Sequence, residues 1–321
     1  MKLFRYIFCT LFLFACGQSE TPPPTEEGKT RVRLALNWFP EAEHGGFYAA
    51  HLHGYYAARN LEVEILGGGP DAPVIQRVST GAVEFGVTNA DDVLYARAQQ
   101  APVVALMAPY QINPRCIMVH ESSGIERIDQ ISNITLAMSQ RPAFSHYLRW
   151  KYPLEGVNIV PYPGNVSQFL ANPSFAQQGY VFSEPFVARQ QGGNPRALLV
   201  SEIGFNPYAS VVIATEKTIA QRSEIVRAVV EASIEGWEHY LRDGQKTNQY
   251  INSLNPEMGL DILAYGVEES AALVLDPVAS EKGLGHMSSA RWNELHKQMV
   301  EAGLIEAGGR VEGAFDTQFL R

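Results

Sequence analysis

From Arg31 onward, short apolar runs alternate with amphipathic segments, and that order constrains the fold more than any other feature. Val32–Leu36, Leu61–Leu66, Val83–Val87 and Val103–Met107 read as strands, because apolar and β-branched residues in short bounded runs suit a buried sheet. Between them, His44–Arg59 predicts a helix, with Tyr48, Leu52, Tyr55 and Tyr56 at helical spacing. Asp71 is placed to cap a helix running to Gly81, and Asp91–Gln99 predicts a third. A β-α-β-α-β-α-β order implies a mostly parallel sheet with helices on both faces. A second round follows, with strands at Ile117–Val119, Ile134–Met138, Asn158–Val160, Gly179–Phe182 and Ala197–Val200, then Val211–Ala214. Beyond Ser223 the chain reads as helical. Val226, Val230, Ile234, Trp237 and Leu241 form one apolar stripe, and further helices are expected over Met258–Leu275 and Ser289–Ala302.

Two α/β units and a helical tail predict two lobes, residues 31–111 with 212–321, and residues 112–211. The chain crosses between them near Tyr110–Pro114 and again near Asn206–Val212. In open α/β sheets ligands sit beyond the carboxyl ends of the strands. Two facing sheets therefore make a cleft that can close on a small molecule.

The segment ahead of this pattern is of another kind. Lys2 and Arg5 precede a ten-residue apolar stretch, Tyr6–Ala15, which is half of what a membrane-crossing helix needs. It ends in Leu13-Phe14-Ala15-Cys16, which resembles a bacterial lipoprotein box. The expectation is a signal peptide over 1–15, a lipidated Cys16, and a Pro- and Glu-rich linker over 16–30 that lacks the apolar surface to fold. Later in the chain no run of 18 apolar residues occurs. With 25 basic and 34 acidic residues, a net charge of −9, the chain is a poor partner for nucleic acid. Cleavage before Cys16 would also remove Cys9 and leave Cys116 as the one thiol outside the anchor, too few for a disulfide or a multi-cysteine metal site.

Leu36-Asn-Trp-Phe-Pro40, His44, Gly54-Tyr-Tyr56 and Leu61–Ile65 resemble the opening of the thiamine-pyrimidine-synthesis-like family of solute-binding proteins. Val78–Val87, Tyr180–Ala188 and Val211–Val230 continue the likeness, which spans most of residues 32–240. The resemblance implies a type II-like periplasmic-binding-protein fold and a lipid-anchored monomer on the periplasmic side of a bacterial membrane. It implies no cofactor, and delivery of a small ligand to an ABC permease. Within that family the ligand is a thiamine-pyrimidine precursor, riboflavin, a sulfonate or nitrate. A fungal branch is instead a pyridoxal-phosphate- and iron-dependent synthase, with a Lys and a His around the segment matching Val87–Val93 and a Cys-rich block before the strand matching Val211–Ala214. Here Thr88 and Asp92 occupy the first segment and Gly204–Ala209 the second, without Cys, so the chain is read as a binding protein and not an enzyme.

The residues themselves point the same way. Trp38, after the first strand, offers a flat stacking surface, while Phe39 is expected to plug the core beneath. His44 either caps the first helix or hydrogen-bonds a ligand, and Glu41 and Tyr48 lie beside it. Asn89, Asp91 and Asp92 follow the third strand; one caps a helix and the others can accept N–H donors. Glu184, in Ser183-Glu184-Pro185, faces them from the other lobe, with Tyr110 and Tyr208 near the crossings. The expected ligand-binding set is therefore Trp38, Glu41, His44, Tyr48, Asn89, Asp91, Asp92, Tyr110, Glu184 and Tyr208. Its acids favour a nitrogen heterocycle with N–H donors over an anion. His44 and His51 are two helical turns apart and His53 is on another face, so no metal site is expected.

Overall fold

A computed structural model describes residues 28–308 and 311–320. The signal-peptide and Cys16 readings, and most of the linker, lie outside the described residues. In the first half β1 (Thr30–Ala35), α1 (Gly45–Leu52), β2 (Leu61–Leu66), α2 (Val74–Ser79), β3 (Phe85–Thr88), α3 (Ala90–Ala98) and β4 (Val103–Met107) alternate. A second series opens with β5 (Arg115–His120) and β6 (Thr135–Ala137). It continues through α4 (Ala143–Lys151), β7 (Asn158–Val160), α5 (Ser167–Ala171), β8 (Phe175–Tyr180), α6 (Glu184–Gln190) and β9 (Pro195–Leu199). After β10 (Val211–Thr215) the chain is helical: α7 (Glu216–Gln221), α8 (Ser223–Arg242), α9 (Gln245–Leu254), α10 (Leu260–Val274), α11 (Pro277–Lys282) and α12 (Ser289–Glu301).

The strands form two five-stranded sheets, ordered β2-β1-β3-β10-β4 and β7-β6-β8-β5-β9. Both are mixed. β10 is antiparallel to β3 and β4, and β5 is antiparallel to β8 and β9, while the other pairs are parallel. The reason is connectivity. β5 and β10 are the first strands after each crossing, so they run away from the crossing while their neighbours run towards it. The two crossing segments pair at Tyr110 and Ala209. Asn113 and Asn206 stitch them further: Asn113 N–H donates to Asn206 Oδ1 at 2.8 Å, and Asn113 Nδ2 donates to the Pro207 carbonyl at 2.9 Å.

Local chemistry moves several boundaries. The first helix ends at Leu52, since Gly54 adopts φ +79° and turns the chain, so the expected run to Arg59 is broken. Asp71 sits at φ 63° and caps nothing; α2 begins only after Pro73. Strand β8 lies at Phe175–Tyr180 and not at 179–182.

The first sheet and the C-terminal helices share a core in which α1 lies hard against α8. Small residues permit this approach. A Cβ on Gly46 would fall 2.1 Å from the Trp237 ring, and one on Gly236 would fall 2.2 Å from the Gly46 carbonyl oxygen. Val226, Val230, Ile234 and Trp237 of the predicted stripe are buried here, and Leu241 is partly so.

Candidate ligand-binding cleft

The carboxyl end of β1 delivers the first wall. Leu36 to Pro40 leave the sheet, and a short 3-10 turn over Ala42–His44 leads into α1. The β2–α2 loop lies directly on this segment: Gly68 N–H donates to the Trp38 carbonyl at 2.8 Å. A Cβ at Gly68 would come within 2.2 Å of the Leu36 carbonyl oxygen, so glycine is required by the close backbone approach. Trp38 is half-buried, with its ring edge-on to Phe39 at 5.5 Å. Phe39 is 47% exposed and does not plug the core.

Behind Trp38 the polar groups are buried. His44 is sealed from solvent with Nε2 2.9 Å from Asn37 Oδ1, so it ties the 3-10 turn to the Trp38 loop. Burial pushes its pKa below the usual histidine value, opposed by the nearby Glu43 carboxylate. Glu43 is also buried, and its Oε1 accepts from Ser210 Oγ at 2.9 Å. Glu41 is buried beside it. Desolvation first, then the charges of Glu43 and of Glu184, hold its carboxyl well above the ordinary range.

The start of α3 adds Asn89, Asp91 and Asp92. Asn89 occupies the N-cap position, and its backbone N–H donates to Asp92 Oδ2 at 3.3 Å. Thr88 Oγ1 donates to the same oxygen at 2.8 Å. Asp92 itself is exposed to solvent. Asp91 is buried with Oδ1 lacking a hydrogen-bond partner. It borders a cavity of about 10 Å³, room for one water, shared with Asn89, Asn113, Arg115 and Phe144.

Arg115, at the start of β5, belongs to the opposite wall. Its guanidinium carbon lies 4.5 Å from the Phe144 ring centre and 4.9 Å from that of Tyr180, and Nη2 donates to Tyr180 Oη at 3.2 Å. Glu184, in the first turn of α6, accepts from Tyr180 N–H at 2.8 Å and from the Tyr162 hydroxyl. The two walls feel each other. Glu184 raises the pKa of Glu41, and Glu41 raises that of Tyr162, after desolvation in each case.

The structure thus sets Glu41 within electrostatic reach of Glu184 and Asp91 beside Asn89 and Asp92, with Trp38 on the loop that leads to Glu41. The three tyrosines are engaged within the protein, although Tyr110 lies close enough to Glu41 and Glu43 to feel both acids. Tyr48 is buried with its ring edge on Tyr250. Tyr110 is buried against Trp237, its hydroxyl 2.9 Å from Ser270 Oγ. Tyr208 accepts from Ser288 N–H at 3.1 Å beneath the Arg291 guanidinium. Each aromatic found a packing partner more than 70 residues away, which no local pattern discloses. His44 likewise works as an internal tie. Glu43, Arg115, Tyr162 and Tyr180 join the walls without having been in the expected set; Tyr162, between Pro161 and Pro163 just past a predicted strand, carried a readable signal. Among the described residues no group of three or more His, Cys, Asp or Glu is placed to hold a metal ion.

Asp91 makes the electrostatics testable. Its pKa is raised to about 7 by desolvation and then by Asp92, with Arg115 opposing. A carboxyl raised above its unfolded value stabilises the fold below about pH 4, and that contribution is lost as pH climbs through 7. Asp91→Asn is therefore expected to stabilise the protein at pH 8 by on the order of 1–3 kcal/mol, a rise of several degrees in Tm, with little effect at pH 4. Thermal melts of both proteins at the two pH values check this; an equal shift at both would refute the titration.

A family profile described as NMT1/THI5 like matches residues 41–247, well over half of the chain. The chain belongs to this family. As an NMT1/THI5-like protein it is 26% identical to the riboflavin-binding protein RibY of Chloroflexus aurantiacus, over 95% of this chain and 91% of that one. It is 21% identical to the formylaminopyrimidine-binding protein of Halalkalibacterium halodurans, over 98% of both. A match to the 4-amino-5-hydroxymethyl-2-methylpyrimidine phosphate synthase of Legionella pneumophila, 29% identical, covers only 32% of this chain and 33% of the synthase. Among solved structures, the periplasmic aliphatic sulphonate binding protein SsuA of Escherichia coli superposes with a TM-score of 0.70 at 11% identity, covering 88% of this chain and 91% of its own. The fold is that of the periplasmic binding proteins.

Proposed function

We propose that this protein is the solute-binding component of an ABC importer, and that its lobes, residues 31–111 with 212–321 and residues 112–211, close on an aromatic nitrogen heterocycle bearing N–H donors. The observation that carries this reading is the facing of two acid-bearing walls, Glu41, Glu43, Asp91 and Asp92 against Glu184, beside the half-buried ring of Trp38. Carboxyl groups accept N–H donors, and an indole offers a flat apolar face. A sulfonate brings acceptors only. Arg115 does not rescue it, because that cation is already shared among Asp91, Glu43 and Asp92. The two relatives covered almost end to end are named for riboflavin and for a formylaminopyrimidine, both nitrogen heterocycles, and both are binding proteins. Thr88 and Asp92, where the synthase branch needs Lys and His, satisfy each other by a hydrogen bond, which supports binding over catalysis.

A thermal-shift screen of vitamins, pyrimidines, flavins, sulfonates and nitrate tests the reading, since a ligand of the folded state alone raises Tm. Stabilisation by a flavin or pyrimidine is expected; stabilisation by sulfonate or nitrate alone would oppose it. In the same reading the mature protein hangs by lipidated Cys16 on the periplasmic side of the membrane, beyond the Pro- and Glu-rich linker. Wild type should partition with membranes and into detergent, whereas Cys16→Ser should be released or remain unprocessed. Identical partitioning of the two would remove the anchor from the account.

A further inference from the structure

The Glu41–Glu43 pair deepens the reading of the cleft as a heterocycle site, and its proposed role rests on that reading. Glu41 is 7% exposed and Glu43 2%, two acids at one short turn whose side chains lie within hydrogen-bonding reach of each other. Ionised carboxylates only accept, so a bond between two of them requires a proton on one. Ser210 Oγ already donates to Glu43 Oε1 at 2.9 Å, so Glu43 is the acceptor of the pair. The proton therefore resides on Glu41. The groups around the pair agree. Glu184 of the opposite wall acts on Glu41, which in turn acts on Tyr162 of that wall and on Tyr240 of α8. Glu43 acts on Arg115 and Tyr180, and Tyr110 lies near both acids. His44 has its Nε2 engaged by Asn37, and α10 presents uncharged Gly266 to Ala42.

We infer that Glu41 is a specificity-determining residue that serves the ligand as a neutral hydrogen-bond donor beside the Glu43 acceptor. The cleft then selects an uncharged ring edge that presents an acceptor and an N–H side by side. The amidine edge of an aminopyrimidine and the lactam edge of a flavin-type ring both meet this requirement. When such an edge enters, its acceptor takes the Glu41 O–H and its N–H turns to the Glu43 oxygen that the O–H leaves. One hydrogen bond is replaced by two, and no proton leaves the protein. An alkylated edge, a permanent cation or an anion cannot make this exchange.

Calorimetric titration at pH 7 distinguishes the outcomes, with 4-amino-5-hydroxymethyl-2-methylpyrimidine and riboflavin as separate probes and N3-methylriboflavin as the blocked control. Glu41→Gln keeps a donor and an acceptor without a charge. It should hold affinity for the bound probe within about fivefold of wild type, while Glu41→Ala loses at least about tenfold, both judged folded by their melts. Repeating wild type in buffers of different ionisation heat should show no net proton release. If riboflavin is the probe that binds, the N3-methyl form should bind at least about tenfold more weakly. The inference is overturned if Glu41→Gln falls as far as Glu41→Ala, if Glu41→Ala keeps full affinity, or if binding expels a proton; the heterocycle reading survives each of these. Failure of wild type to bind either probe overturns both.

Discussion

Gly46→Ala is expected to cost the protein its cooperative fold. The added methyl would lie 2.1–2.4 Å from three atoms of the Trp237 ring, far inside van der Waals contact. That ring cannot withdraw. It is fully buried, with Phe47 at 5.8 Å, Tyr110 at 5.4 Å and Tyr240 at 6.1 Å, each edge-on. Nor is there slack between the helices, because a Cβ on Gly236 would fall 2.2 Å from the Gly46 carbonyl oxygen and one on Gly45 would fall 2.0 Å from the Tyr240 ring. Overpacking of an adaptable core costs about 1–3 kcal/mol. Here two backbones and three rings would have to move together, and we expect more than about 4 kcal/mol, a large part of a domain's total stability. Near-ultraviolet circular dichroism and a thermal melt should show a lost or strongly lowered transition. Gly308→Ala, whose Cβ meets nothing within 4 Å, should melt as wild type does. A Gly46→Ala protein with an unaltered melt would mean that α1 and α8 are not so closely apposed. The position of the first wall is then also in question, since the turn carrying Glu41 and Glu43 feeds directly into α1.

Trp38→Ala has the second large effect, and it falls on binding. The ring is half-buried and touches Phe39 by its edge, so its loss leaves a surface gap and little structural damage. Removing a stacked aromatic surface from a ligand costs on the order of 1–3 kcal/mol, or roughly 5- to 150-fold in affinity. Far-ultraviolet circular dichroism should be unchanged. Gly68→Ala should act on the same loop from below, because its methyl would strike the Leu36 carbonyl and the Trp38 nitrogen. Full affinity in Trp38→Ala would assign the ring to packing alone.

The alternation of strands and helices was legible because buried strands such as Val103–Met107 and Val211–Thr215 are apolar throughout. Strand β8 was misplaced for the converse reason. Its middle is Gln177-Gln178, buried but polar, whereas the apolar Val181-Phe182 beyond it lies past the point where Glu184 takes the Tyr180 N–H. The first helix was overextended because Tyr55 and Tyr56 keep the helical spacing across Gly54, and spacing alone does not register a positive φ. In the cleft, the acids after the strands were readable from the rule that loops at strand ends face the ligand. Glu43 and Arg115 were harder, since their roles come from Ser210 and from Phe144 and Tyr180, residues distant in the chain. The direction of β5 and β10 was hidden for a related reason: it is set by where the chain crosses, and no residue pattern within either strand records it.

The central claim, an acid-walled aromatic cleft for a nitrogen heterocycle, is tested most directly by calorimetric titration of the mature wild-type protein. Riboflavin, 4-amino-5-hydroxymethyl-2-methylpyrimidine and ethanesulfonate would be titrated side by side at pH 7. The account predicts saturable binding of at least one heterocycle with Kd of about 1 μM or tighter, and none detectable for the sulfonate below about 1 mM. Tight ethanesulfonate binding with both heterocycles silent would contradict it, because an anion would then sit among acid side chains of both walls with Arg115 already shared among Asp91, Glu43 and Asp92.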